Sequence, residues 1–417
     1  MNKQPSCHDE SEPGTLSFEQ AQQRILESVK AKRIQRNVSI RESLNQVLAQ
    51  DVESPMHVPP FINSAMDGYA IRSQDLPTSG ETTLTVIGKS FAGAPFDGSV
   101  KTGEAVRIMT GAVLPEGANT VIMQEHAQVS ADRIQIGSEH KAGQNVRHPG
   151  DDFKQGETIL SAGERLTPAR LGLLASVGVT EFKVVQAPVI AFFSTGDELK
   201  GVGHSLQPGE IYDSNRYTLY GMIRNMDVYA IDMGVLPDNR EQIRQALEEA
   251  AQTADVVISS GGASVGEADY IKQILDEIGQ VNFWKIAMKP GKPLAFGQIG
   301  KALFFGLPGN PVSAMATFYQ FVQPAVALLQ RETPTQAQIF NAICQSSIKK
   351  HPGRKDFQRG IATINAQGEW EVSSTGGQGS HMLSSMCKAN CFIVLDQESG
   401  DISAGNTVKI QLFNRLI

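Results

Sequence analysis

The chain has 417 residues, 41% of them hydrophobic and 19% charged, which is enough for roughly two to four domains, each with its own core. A net charge of −7 and an isoelectric point near 5.7 exclude nucleic acid as the main partner, because phosphate-backbone binding needs a basic face. No apolar run approaches a membrane span, and the start, MNKQPSCHDESEPG, lacks the apolar core of a signal peptide. Residues 1–15 read as a disordered tail. Four cysteines (Cys7, Cys344, Cys387, Cys391) form neither a disulfide framework nor a paired zinc pattern. Cys387 and Cys391 could supply two metal ligands, but no second pair accompanies them. Reduced thiols and a cytoplasmic location are the expectation.

Ser17 to Gln20 has capping-box spacing, and Leu16, Ala21, Ile25 and Val29 follow at helical intervals. Ser39 to Glu42 repeats the signature and predicts a second short helix through Leu44, Val47 and Leu48. Pro55, Pro59 and Pro60 then break the pattern ahead of Asp67-Gly68, which serves equally as a hairpin turn. The text from 82 to 137 is β-like, with LTVIG, VRIMTG, TVIMQE and RIQIG between turn residues, and reads as an inserted β domain over 55–143. Residues 145–152, NVRHPGDD, form a polar loop. A helix at 168–177 and a strand at 181–185 rejoin the N-terminal helices, so that 16–54 and 144–186 make one discontinuous linking domain.

From 187 to 331 the alternation is the most regular in the chain. Strands at 189–193, 227–235 and 256–258 are separated by helices at 214–225 and 240–251. This βαβαβ order implies right-handed crossovers, a doubly wound parallel sheet and a ligand site beyond the strand carboxyl ends. Glu198, Asp238 and the Ser260-Gly261-Gly262 loop all follow strands directly. Isolated acids there serve equally as helix caps. Glycines after a strand aim consecutive N–H groups at one point, where an anion can sit. Lys289 and Lys292 flank Pro290-Gly291, and Gly309-Asn310-Pro311 looks like a helix start with Asn310 as N-cap. Short glycine motifs are common turn punctuation, yet three in one unit favour a phosphate site. Asp269 beside them would repel phosphate unless a cation lay between, which favours a Mg²⁺-bridged phosphorylated ligand. A helix from Pro311 to about Leu329, kinked at Pro324, and a linker at 332–334 precede a β-rich remainder, 332–417, read as a small barrel or sandwich. No Cys or His stands out as a nucleophile.

Taken together, SAMDGYA (64–70), RIMTGAVLPEGA (107–118), NVRHPGDD (145–152), STGDEL (194–199), SSGGASVGEADY (259–270), KPGKP (289–293), GLPGNPVSA (306–314) and STGGQGSH (374–381) resemble the molybdopterin molybdenumtransferase family, related to the gephyrin C-terminal domain. They span nearly the whole chain in family order. The resemblance implies four domains: helical linking, inserted β, doubly wound pterin-binding and C-terminal β barrel. It also implies a reaction in which adenylylated molybdopterin and molybdate give molybdenum cofactor and AMP. Carried onto this sequence, the acids expected to matter are Asp67, Asp152, Glu198, Asp238 and Asp269, with Glu198, Asp238 and Asp269 around Mg²⁺. Lys285 and Lys289 are expected to bind phosphate or oxyanion. Thr110, Arg147, Arg359 and Ser380 join the binding set beside Ser260, Gly261 and Gly262. A homodimer is implied, as are a molybdopterin adenylyltransferase and apo-molybdoenzyme delivery proteins as partners. Rival readings are a Mg²⁺-dependent nucleotide pyrophosphatase on the same fold and a gephyrin-like scaffold.

Overall fold

A computed structural model of the chain describes residues 15–261, 270–332, 338–414 and 417. Its centre is a seven-stranded sheet in the order Thr15–Leu16, Gly279–Ile286, Pro293–Ile299, Ala302–Leu307, Val256–Ser260, Val189–Thr195, Tyr229–Leu236. The last four run parallel, as the alternation predicts. Pro293–Ile299 departs from the all-parallel expectation, running antiparallel to both neighbours. The reason is length: only a short turn joins it to each neighbour, and a parallel crossover needs a dozen or more residues.

Strand periodicity explains the two covered faces. Ile190, Phe192, Val256, Ile258 and Phe305 point to one side, where Leu219, Met222 and Ile223 of the helix Ser214–Arg224 cover them. Ala191, Phe193, Val257 and Phe304 point to the other, under the helices Arg240–Thr253 and Tyr270–Ile278. Both faces are dry, so the strands read as continuous apolar runs.

The helix Phe18–Ser28 forms as expected, with the Ser17/Gln20 capping box closed in both directions. Its partners differ from those expected. Thr15–Leu16 pairs in parallel with Lys285 and Ile286, and Phe18, Ala21 and Ile25 enter the sheet's core instead of the linking core. The predicted second helix at 39–48 is reduced to one 3₁₀ turn, Ile40–Glu42. Ser39 makes no side-chain cap there, and Val47 and Leu48 are drawn into β-bridges with Arg165 and Val184. Tertiary pairing has overridden a marginal helical signal. Residues 35–53 and 158–185 do share a core, through Val38, Leu48, Leu160, Leu174 and Phe182, with Gln35–Ser39 paired to Glu181–Val185. Between them lies a six-stranded sheet containing Gly68–Ile71 and Glu104–Ile108.

Near the C-terminus, five strands close into a barrel: Lys355–Ile364, Trp370–Ser374, Ile339–Cys344, Thr407–Leu412 and Cys391–Leu395, the last pairing back to the first. Aromatic contacts seat it on the central domain. Phe357 lies 5.2 Å from Phe18 and 5.9 Å from Phe392, and Phe392 lies 5.9 Å from Tyr319.

The helical run Pro311–Leu329 is long and apolar enough to cross a membrane, contrary to the sequence expectation, but it is 78% buried inside the protein. It is a core helix. A π-turn, Phe318–Val322, interrupts it just before Pro324. Pro324 has no N–H for the carbonyl of Gln320, and Gln22 Nε2 donates to that carbonyl instead at 3.2 Å.

Candidate active site

The four parallel strands deliver their carboxyl ends to one edge of the sheet, and the polar groups gather there. After Val256–Ser260 the chain turns at Gly261, with φ +96, and Gly261 N donates to Leu307 O at 3.1 Å. A Cβ at Gly261 would stand 2.9 Å from the Thr195 carbonyl oxygen, so both conformation and space require glycine. Ser260 is 3% exposed, and its Oγ accepts from Asn215 Nδ2 at 2.8 Å. The same Asn215 Nδ2 donates to Gly309 O at 2.7 Å, tying two strand-end turns together. Asn215 Oδ1, Asp213 Oδ2 and Ser194 Oγ are buried here with no hydrogen-bond partner among the described residues. Buried polar atoms are normally satisfied, so this cluster is built to receive a polar ligand or water.

Two predicted acids stand on this edge. Asp238 Oδ1 accepts from Thr195 Oγ1 at 3.0 Å, and Asp238 N donates to Asp197 Oδ1 at 3.2 Å. The helix Arg240–Thr253 is capped by Asn239, whose side chain accepts from Gln242 N, so the capping role open to Asp238 is filled by its neighbour. The Glu198 carboxylate folds back to within 2.6 Å of where a Cβ on Gly196 would lie. Gly262 and Asp269 lie outside the described residues.

The turn between Gly279–Ile286 and Pro293–Ile299 reaches the same edge, closed by Ile286 N donating to Lys292 O at 2.8 Å. Lys285, near the end of the first strand, and Lys289, within the turn, are both exposed. Met288–Lys289 also adds a strand to the barrel, pairing with Lys355–Asp356. From the barrel, Ser380 O accepts from Val312 N at 3.1 Å, in the first turn of the helix Pro311–Thr317. Asn310 stands at the expected N-cap without a side-chain bond, so the barrel loop does part of its work. Arg359 is 1% exposed. Its Nε donates to Ser385 Oγ at 3.0 Å and an Nη to Gly379 O at 3.1 Å, and burial pushes the guanidinium down to about 10. In this structure Arg359 shapes the 374–381 loop from beneath.

Asp67, Thr110, Arg147 and Asp152 assemble elsewhere, between the linking and inserted segments. Asn63–Ser64 pairs with Val146–Arg147, and Asp152 N donates to Val58 O at 2.9 Å, so two distant motifs lie side by side. Arg147 and Asp152 are exposed. The Asp67 carboxylate is held below the usual range by the Thr110 N–H, then by the Thr110 hydroxyl, with Arg107 adding to the effect. Gly68, which begins the strand Gly68–Ile71, admits no Cβ, since one would lie 1.9 Å from Ile122 O. The hydrogen bonds described for Asp67 stay within its own sheet.

Three family models match the chain: the MoeA N-terminal region (domain I and II) over residues 16–178, a probable molybdopterin binding domain over 191–328, and the MoeA C-terminal region (domain IV) over 341–413. The molybdopterin molybdenumtransferase of Haemophilus influenzae is 50% identical over 404 residues, covering 96% of this chain and all of that protein. This chain belongs to the molybdopterin molybdenumtransferase (MoeA) family. The Nostoc sp. molybdopterin molybdenumtransferase is 34% identical over 88% of this chain and 86% of that protein. The crystal structure of the molybdopterin biosynthesis moeA protein from Pyrococcus horikoshii OT3 superposes with a TM-score of 0.84 at 29% identity, over 96% of this chain and all of that one. The chain is thus an enzyme of molybdenum cofactor biosynthesis.

Within this MoeA chain the sequence reading missed Asn215 and Asp213. Asp213-Ser214 carries an N-cap signal, and Asp213 Oδ1 does accept from Arg216 N at 3.1 Å. The bond from Asn215 to Ser260 has no local signature. Among the described residues no three His, Cys, Asp or Glu side chains converge as a metal cage. Mg²⁺ needs no such cage, being commonly held by one or two carboxylates together with substrate phosphates, and Glu198 and Asp238 fit that donor set. A cavity of about 610 Å³ lined by Lys30, Ala31, Lys32, Arg33 and Arg331 lies at the opposite end of the sheet, where Lys32 pairs with Asp255 ahead of Val256. The helices Phe18–Ser28 and Gln323–Leu329 both end there, and cations suit helix carboxyl ends.

Proposed function

We propose that this enzyme transfers molybdenum from molybdate to adenylylated molybdopterin and releases AMP. The observation that carries the reading is the strand-end cluster, where the Gly261 turn, the Asn215 clamp and the acids Glu198 and Asp238 share one edge with the Lys285–Lys292 turn. Cleaving a pyrophosphate requires neutralising charge on its phosphoryl oxygens. Mg²⁺ bound by Glu198, Asp238 and Asp269 would supply part of that neutralisation. Lys285 and Lys289 meet the ligand's phosphate or the tetrahedral molybdate, an oxyanion suited to cationic side chains and backbone N–H groups. Ser260, Gly261 and Gly262 cradle the pterin phosphate, and the Ser380 loop borders the entrance. With no cysteine or histidine in the set, a molybdate-linked oxygen attacks the pterin-side phosphorus, the P–O bond to AMP breaks, and AMP leaves with the electron pair.

The enzyme acts as a cytoplasmic homodimer in which Asp67, Thr110, Arg147 and Asp152 of one subunit complete the strand-end site of the other. What supports this is the position of Asp67, whose carboxylate is exposed and bonded to Thr110 of its own region, while Glu198 and Asp238 stand at the strand ends of the central sheet. Substrate arrives from a molybdopterin adenylyltransferase, and product passes to apo-molybdoenzyme delivery proteins. An Asp67→Ala subunit and an Asp269→Ala subunit are each inactive as homodimers. Their heterodimer, purified by two tags, has one site carrying both lesions and one carrying neither, so it regains about half of a normal dimer's AMP release. A heterodimer as dead as its parents rules out the shared site. AMP release that ignores molybdate would make the enzyme a pyrophosphatase.

A further inference from the structure

A buried carboxylate stands where the barrel meets the central sheet. Asp356 is 3% exposed and lies opposite Lys289 in the pairing of Lys355–Asp356 with Met288–Lys289. Its Oδ2 is 3.9 Å from Lys289 Nζ and accepts from Gln358 Nε2 at 3.0 Å. Two other cations feel the same charge. Lys350 and Arg359 are both buried, burial drives each towards its neutral form, and Asp356 opposes that drive on each. Those two are already committed: Lys350 Nζ donates to the carbonyls of His351, Gln397 and Ser399, and Arg359 to Ser385 and Gly379. The Lys289 side chain is 47% exposed, so it alone of these three faces solvent.

We propose that Asp356 is the positioning residue for Lys289, a counter-charge anchored in the barrel that holds the ammonium group ready for an oxyanion without occupying it. The inference rests on the binding role proposed for Lys289. A lysine on a four-carbon stem samples many rotamers, and a ligand that captures it must freeze them. A nearby buried carboxylate restrains the stem in advance, which lowers that cost. At 3.9 Å the pair is longer than a hydrogen bond, so Asp356 leaves the three N–H donors able to turn to the ligand. The anchor belongs to the barrel and the lysine to the strand Met288–Lys289, which the central domain's turn adds to the barrel sheet, so that strand pairing sets the lysine.

The test is molybdate binding, measured by calorimetry on the intact protein as wild type, Lys289→Ala, Asp356→Asn and the double variant. Lys289→Ala is expected to weaken binding about tenfold and Asp356→Asn about fivefold, with the double variant no weaker than Lys289→Ala, because the second residue acts through the first. Losses that multiply in the double variant, or wild-type affinity in Asp356→Asn beside a weakened Lys289→Ala, overturn the positioning role alone. Wild-type affinity in Lys289→Ala overturns both that role and the assignment of Lys289 to the site. If Asp356→Asn does not fold, Asp356→Glu keeps the charge near Lys350 and Arg359 but shifts it by one methylene. Its expected loss is about two- to threefold and vanishes in the Lys289→Ala background. Wild-type binding by Asp356→Glu then overturns the proposal.

Discussion

Thr110 closes on Asp67 with both of its donors: the backbone N–H at 2.8 Å and the hydroxyl at 2.7 Å reach the same carboxylate oxygen. The two residues come from separate motifs and meet only because Gly68–Ile71 and Glu104–Ile108 pair in one sheet. The result is an exposed acid with a fixed direction and a lowered pKa, with the bonds from Thr110 as its main cause.

Thr110→Val keeps the backbone donor and removes the hydroxyl. The Asp67 carboxyl then titrates at higher pH than in the wild type, which carbon-detected NMR of the side chain reports. A depressed carboxyl contributes stability that is present above its unfolded value and is lost as pH falls through the folded value. The variant therefore loses that contribution at a higher pH, and the acid limb of activity moves up with it. An unchanged Asp67 titration would remove the Thr110 hydroxyl as a cause and leave the backbone N–H.

Gly261→Ala tests the cradle. The backbone at φ +96 is unfavourable for any L side chain, and the new Cβ would stand 2.9 Å from the Thr195 carbonyl oxygen. The expected cost is about 1–3 kcal/mol in urea unfolding, with a larger proportional loss in molybdopterin affinity. Full affinity in a stably folded variant would place the phosphate elsewhere.

Asn215→Ala removes the donor shared by Ser260 Oγ and Gly309 O. Leaving buried acceptors unpaired costs roughly 1–3 kcal/mol, read by denaturant unfolding. If the Asn215 clamp serves the ligand, molybdopterin binding falls as well, and saturating ligand no longer raises the melting temperature by the wild-type amount. A variant with normal affinity would limit Asn215 to a structural role.

Much of the fold is legible in the sequence. The continuous apolar runs at 190–193 and 256–258 declare strands buried on both faces, and Ser17 with Gln20 declares a helix start. These signals are local: backbone geometry and solvent exposure impose a period on neighbouring residues. Glycines after strands, and acids one or two residues beyond, follow from the same local order, which is why Glu198, Asp238, Ser260 and Gly261 were legible as one edge. Tertiary structure decided what periodicity cannot carry. Thr15–Leu16 joins the central sheet, and Ile40–Glu42 remains a single turn because Val47 and Leu48 find bridging partners more than a hundred residues away. Arg359 sits beneath a loop, Asn215 joins two turns, and Asp356 of the barrel faces Lys289 of the turn that follows Gly279–Ile286. Each of these contacts links residues whose separation along the chain carries no period. They exist because two preformed surfaces pack together, and the Phe18, Phe357, Phe392 and Tyr319 contacts that seat the barrel determine which polar groups meet across the join.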